Sequence, residues 1–208
     1  MMVIRHRINQ ITDLQELECS EPVEVDIHGF GDRLVVHHDA MQDGVNFEDW
    51  LEAAGRRFAI LNVKEEGIEE RVLDMAEKSQ LADFFLLDLS FPSLIKQTRK
   101  NEKRVAIRVS EYEHYSAALK LNGKINWIWL DCFHGFPLNE TEIIGLTAVS
   151  SKICLVSPEL HGPERTVDEV VHFQSMLKKY QFKVDAVCTK LPELWLNASH
   201  SYQRKTQC

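Results

Sequence analysis

Short runs rich in β-branched, aromatic or leucine side chains recur along the chain, at residues 3–7, 23–28, 57–64, 84–90, 104–110, 127–133, 152–157 and 184–190. Each has the length of a buried strand. Between most of them the period changes. Ile68, Val72, Leu73, Met75 and Ala76 within 65–80, and Val167, Val170, Val171, Phe173, Met176 and Leu177 within 166–181, repeat at three- and four-residue spacing, which predicts helices. Shorter helices are predicted at 47–54, 92–101, 113–121 and 140–148, with Asn46 and Asn139 as N-caps and Gly55 and Gly123 as stops. Strands that alternate with helices pair in parallel through right-handed crossovers, and eight such units are the number that closes a (β/α)8 barrel. The expected fold class is α/β, a minimal TIM barrel.

Two intervals depart from the regular alternation. Residues 8–22 leave room for only a short helix at 12–17, so the first crossover is abbreviated. After the second strand, Gly29-Phe30-Gly31-Asp32 reads as a turn and 33–38 as a further short strand, which predicts a β-hairpin above the barrel mouth. The expected organisation is a single domain over 1–195 followed by a loose polar tail at 196–208. The Asn-Ala-Ser tripeptide at 197–199 matches a glycosylation acceptor but reads as chance without a secretory signal.

Composition narrows the class further. Of 208 residues, 44% are hydrophobic and 27% charged, with 9 Gly and 6 Pro, which excludes disordered, collagen-like and disulfide-scaffold chains. No apolar run approaches the roughly 18 residues that span a bilayer. Residues 1–10 carry charges where a signal peptide needs its apolar stretch, so a cytoplasmic protein with no integral membrane association is expected. The 5 cysteines contain no C-x-x-C pair, and Cys132, Cys154 and Cys188 lie in apolar runs, as small buried thiols do. Trp50 and Trp195 read as core aromatics. A net charge of -8 argues against nucleic acid or an anionic membrane as partner, while leaving room for a local basic pocket that holds a phosphate.

Candidate chemistry concentrates at strand ends. In Val23-Glu24-Val25-Asp26-Ile27 two carboxylates two apart share one face of a strand. Facing inward they need a cation, and a hard ion such as Mg²⁺ or Ca²⁺ takes oxygen ligands of this kind; facing outward they are a solvated edge. The next strand ends Leu61-Asn62-Val63-Lys64, offering a neutral oxygen and a point charge at the same rim. His6-Arg7 closes the first strand and His37-His38-Asp39 closes the hairpin. Two histidines on opposite sides of a phosphorus atom can act as base and acid. His28, His37, His114, His134, His161, His172 and His200 read as structural, and Asp88, Arg108 and Asp131, at later strand ends, as pocket lining.

His6-Arg7, Glu24-x-Asp26, the segment Asp32-Arg-Leu-Val-Val-His-His38-Asp39 and Asn62-x-Lys64 occur in the order and strand positions of the glycerophosphodiester phosphodiesterase family, within the phospholipase C-like phosphodiesterases, and the run from Val184 to Pro192 resembles that family's last strand. The resemblance spans about residues 3–195. It implies a small-molecule phosphodiester as substrate, His6 and His38 as acid/base pair, and Arg7 and Lys64 on the phosphate. It further implies one divalent ion, Mg²⁺ or Ca²⁺, on Glu24, Asp26 and Asn62, with Asn62 in place of a usual carboxylate. The chain also departs from the family. Ile8 replaces the usual Gly, the Glu-Asn-Thr segment that normally follows is missing, Lys190 replaces an Asp, and residues 40–56 are too few for the family's small covering insertion. These departures leave a second expectation, a catalytically degenerate barrel that binds a ligand or regulates; a third is another phosphate-handling barrel enzyme.

Overall fold

A computed structural model describes residues 1–162 and 165–196. The chain forms two compact units, one of residues Arg5–Ile107 and one of Met1–Ile4 with Arg108–Cys208.

In the unit of Arg5–Ile107 the central strand is β2 (Val23–Phe30). Strand β3 (Arg33–Val36) pairs with it antiparallel, and β4 (Val45–Asn46) pairs with β3. On the other side β5 (Phe58–Val63) runs parallel to β2, in register from Val23↔Ala59 to Ile27↔Val63, and β6 (Asp83–Leu87) runs parallel to β5. Strand β1 (Met2–Arg5) meets β2 at Arg5↔Val23, and residue Val105, just before β7 (Ala106–Val109), bridges to Leu86. Four helices cross between strands: α1 (Ile11–Glu16), α2 (Phe47–Ala54), α3 (Glu69–Lys78) and α4 (Phe91–Arg99). Local chemistry explains their ends. Asn46 accepts a hydrogen bond from the Glu48 N–H at the start of α2, and Gly55, with φ 59°, ends it. Arg57, only 5% exposed, donates to the Ala54 carbonyl at 2.8 Å and the Leu14 carbonyl at 3.0 Å, which fastens α2 to α1.

In the other unit β8 (Trp127–Leu130), β9 (Lys152–Val156) and β10 (Ala186–Thr189) run parallel. The Asp131 N–H donates to the Val109 carbonyl of β7 and the Met2 N–H to the Asp185 carbonyl. Its helices include α5 (Ser116–Lys120), α6 (Glu140–Thr147) and α7 (Val167–Lys179), with a 3₁₀ turn at Pro158–His161, and residues 192–196 are also helical. Asn139 and Glu142 form a capping box at α6. Cys132, Cys154 and Cys188 are buried with Phe173 and Trp195, as their apolar surroundings in the sequence predict.

The expected alternation of strands with helices is the one observed, and the fold class is α/β. Three details differ. Strand β2 keeps its ladder with β3 as far as Phe30, so the hairpin turn is Gly31-Asp32 rather than residues 29–32, and β3 stops at Val36, leaving His37 and His38 in the following loop. Helix α3 starts at Glu69 rather than 65, because Gly67 takes φ 101° in the turn before it. The two-residue β4 and the 3₁₀ turn carry too few residues for periodicity to reveal. Apart from Leu196, the expected tail lies outside the described residues. Among the described residues no helix is long and apolar enough to cross a membrane.

Candidate active site

The alternation of β2 places Glu24, Asp26 and His28 on one face and Val23, Val25 and Ile27 on the other. All six are buried, the acidic pair at 1% exposure each. Buried carboxylates survive only with partners, and the neighbouring segments supply them. Parallel register sets Asn62 of β5 beside Asp26, and the Asn62 amide donates to Glu24 Oε1 at 2.8 Å. After β1 the chain turns sharply through Arg7, whose φ of 57° aims its N–H at Glu24 Oε2, 2.7 Å away. A left-handed non-glycine residue costs about 1 kcal/mol. Two contacts hold the turn: Ile8 N–H donates to the Glu24 carbonyl at 2.8 Å, and Trp50 Nε1 of α2 to the Ile8 carbonyl at 2.9 Å.

Asp26 is equally enclosed. Asn9 Nδ2 donates to its Oδ2 at 2.9 Å, Lys64 Nζ lies 3.2 Å from Oδ1, and Arg7 Nε lies 3.5 Å from Oδ2. Lys64 also reaches Asp88 Oδ2 at 3.2 Å. The Asp26 carbonyl accepts the His37 N–H at 3.2 Å, which anchors the loop that carries His38. His6 Nε2 stands 3.9 Å from Glu24 Oε2, with its side chain 14% exposed. His38 is exposed, and its Nδ1 is 2.7 Å from Asp39 Oδ1.

The site is electrostatically tense. Burial, and then the adjacent charge of Asp26, push the Glu24 carboxyl up to about 7 against the hydrogen bonds from Asn62 and Arg7 and the charge of Lys64. Asp39 shifts the opposite way: its hydrogen bond with His38 holds it below the usual carboxylate range.

Six of the seven residues singled out in the sequence thus meet: His6, Arg7, Glu24, Asp26, Asn62 and Lys64. His38 lies on the loop anchored at Asp26; its side chain is exposed, as that of Arg7 is, and its ion-pair partner is Asp39 rather than the buried carboxylates. The inward reading of Glu24 and Asp26 is the correct one of the two left open. Sequence reasoning missed Asn9, a loop residue outside any strand pattern. It also underrated Asp88, whose signal was its place just past the end of β6, two strands along from Asp26.

This arrangement can be set beside known proteins. No family model and no curated protein matches the chain. Among solved structures, a provisionally assigned glycerophosphoryl diester phosphodiesterase of Agrobacterium tumefaciens strain C58 is similar at TM-score 0.64 and 14% identity, over 98% of this chain and 99% of that one. A glycerophosphoryl diester phosphodiesterase of Parabacteroides distasonis is similar at TM-score 0.67 and 12% identity, over 97% of this chain and 86% of that one. The chain has the fold of a glycerophosphoryl diester phosphodiesterase. At such identity the likeness establishes the fold alone, the one expected from the order of motifs. In this phosphodiesterase-like fold the paired carboxylates, Asn62 and Lys64 occupy neighbouring strands β2 and β5, and His6 and Arg7 follow directly on β1.

Proposed function

We propose that the chain is a phosphodiesterase that uses one divalent ion, Mg²⁺ or Ca²⁺, to hydrolyse a small phosphodiester of the glycerophosphodiester type. The observation that carries this reading is Asn62 Oδ1, a buried acceptor without a hydrogen-bond partner beside two buried carboxylates. Three oxygen donors, one of them unsatisfied, suit a hard cation, so the residues fit the ion that the family resemblance implies. Glu24, Asp26 and Asn62 would hold it, and once bound it would supply positive charge to offset that of the phosphoryl oxygens. Arg7 and Lys64, the cations at the rim, bind and orient the phosphate.

His38 donates its Nδ1 proton to ionised Asp39, which leaves Nε2 as an acceptor and makes His38 the base that takes the proton of the attacking hydroxyl or water. His6, with the Glu24 carboxylate on its Nε2 side, is the acid that returns a proton to the leaving oxygen. Fold similarity to two glycerophosphoryl diester phosphodiesterases supports the choice of reaction.

The test is hydrolysis of bis(4-nitrophenyl) phosphate and of glycerophosphodiesters with Mg²⁺, Ca²⁺ or Mn²⁺, against a chelated control. Metal-dependent turnover with a bell-shaped pH profile is expected, lowered ~100-fold or more by either His6→Ala or His38→Ala. Absence of turnover with every ion, together with no ion binding at millimolar concentration, overturns the proposal in favour of a binding barrel.

A further inference from the structure

A second group of donors lies in the unit of Arg108–Cys208, far along the sequence from the carboxylates of β2. Asp131 and Cys132 follow β8, and His161 ends the 3₁₀ turn that follows β9, so the carboxyl ends of two adjacent parallel strands bring the three together. The Asp131 carboxylate, the Cys132 Sγ and a ring nitrogen of His161 all lie within 4.8 Å of one another. Asp131 and Cys132 are buried, and the His161 side chain is 19% exposed, which gives a route in from solvent. From these positions we propose a binding site for a borderline transition-metal ion, Zn²⁺ by preference, on Asp131, Cys132 and His161.

The donor set selects the ion. One thiol, one imidazole and one carboxylate together suit Zn²⁺ or Co²⁺ and are poor for Mg²⁺ or Ca²⁺, which want oxygen alone. Bond lengths of about 2.0 Å to N or O and 2.3 Å to S, at tetrahedral angles, separate the ligand atoms by roughly 3.3–3.6 Å. The three ligand atoms already lie within 4.8 Å of one another, and reaching that spacing requires the Asp131 Oδ1 to His161 Nε2 contact to open from 2.6 Å. Surrounding groups already orient the ligands. Arg108 Nε lies 3.5 Å from Asp131 Oδ2 and the Cys132 N–H donates to Asp131 Oδ1 at 2.9 Å, so that both carboxylate oxygens are oriented with Oδ1 towards His161, and Arg165 Nη1 donates to the Cys132 carbonyl at 2.6 Å. The ring of Phe133 lies 4.9 Å from that of His161 and shields it on one side.

Charge balances as well. Cys132 donates its S–H to the Val156 carbonyl at 3.3 Å. Binding breaks that S–H bond and forms sulfur–metal, imidazole–metal and carboxylate–metal bonds; the proton leaves to solvent and nothing is oxidised or reduced. Thiolate and carboxylate then neutralise the ion's two charges. Three protein ligands leave a fourth position for water or an oxygen of a substrate.

Cobalt provides the test, because only a sulfur ligand gives thiolate-to-cobalt charge-transfer absorption in the near ultraviolet. The protein is titrated with Co²⁺ in a Cys19→Ser, Cys208→Ser background, which removes the exposed thiol and the one at the terminus. Expected are a charge-transfer band with tetrahedral visible absorption, loss of both on adding Zn²⁺, no band in Cys132→Ser, and Co²⁺ affinity weakened tenfold or more in His161→Gln. The Glu24→Gln, Asp26→Asn variant should keep the band, which separates this site from the one assigned to phosphodiester hydrolysis. No band from folded protein at millimolar Co²⁺, or a band undiminished in Cys132→Ser, overturns the proposal. If Cys132→Ser does not fold, an unchanged spectrum and affinity in His161→Gln do so equally.

Discussion

Asn9 grips Asp26 from two directions: its Nδ2 donates to the Asp26 carboxylate at 2.9 Å and its Oδ1 accepts the Asp26 N–H at 3.0 Å. One loop residue thus fixes both the backbone and the side chain of a buried acid on β2. Asn9→Ala leaves Asp26 Oδ2 with the longer Arg7 contact alone. The expected outcome is a 10- to 100-fold loss of divalent-ion affinity and of phosphodiesterase activity, the scale seen when groups behind a metal ligand are removed. Titration calorimetry with Mg²⁺ and initial rates check it, and a full loss of folded protein by circular dichroism would show Asn9 to be structural instead.

The tension at Glu24 predicts how stability varies with pH. Its carboxyl has an ordinary value of 4.5 and sits at about 7 in the folded chain. Between those values the folded state keeps a proton that the unfolded state has released. Its contribution is therefore complete below 4.5 and is lost as pH rises through 7, amounting to a few kcal/mol at most. In chelated buffer, wild type should lose stability relative to Glu24→Gln between pH 5 and pH 8. Parallel urea-denaturation curves for the two proteins across that range count against the buried, unneutralised acid.

Asp39 is expected to act through His38. Its ionised carboxylate lies 2.7 Å from His38 Nδ1 and fixes which ring nitrogen carries the proton. Asp39→Asn should lower kcat about tenfold or more with little change in KM, and Asp39→Glu should restore part of the loss. Equal kinetics for Asp39→Asn and wild type remove Asp39 from the mechanism.

Gly44 lies against the loop that carries His37 and His38. A Cβ built there meets the Val36 carbonyl oxygen at 2.3 Å, a backbone atom that cannot swing aside. Gly44→Ala is expected to displace the end of β3, lowering activity at least tenfold and stability by about 1–3 kcal/mol. Thermal melts and rates measured together check this, and unaltered values for both contradict it.

Arg57 is expected to matter for stability alone. Its guanidinium satisfies terminal carbonyls of α1 and α2 from a buried position. Arg57→Leu leaves those acceptors unpaired and should cost about 2–4 kcal/mol by chemical denaturation. Activity per folded molecule should be unchanged at low temperature.

Much of this was legible in one dimension. Parallel strands covered on both sides read as apolar runs and helices as three- and four-residue periods, because burial acts on each element's own repeat. Asn46, Gly55 and Asn139 mark helix ends since capping involves residues only two or three apart. The pair Glu24 and Asp26 shares a face by the twofold period of a strand, whatever surrounds it.

What the sequence determined by itself, then, is the alternation of elements, the ends of the helices and the identity of most groups at the candidate site, all set by interactions between near neighbours in the chain. Which face of β2 turns inward, that Asn9 clamps Asp26, that Lys64 spans Asp26 and Asp88, and that His161 meets Asp131 and Cys132 were decided by the tertiary structure alone. Those contacts join residues 17 to 38 positions apart. They depend on strand register and on left-handed turns such as Arg7, and a local pattern carries no information about either.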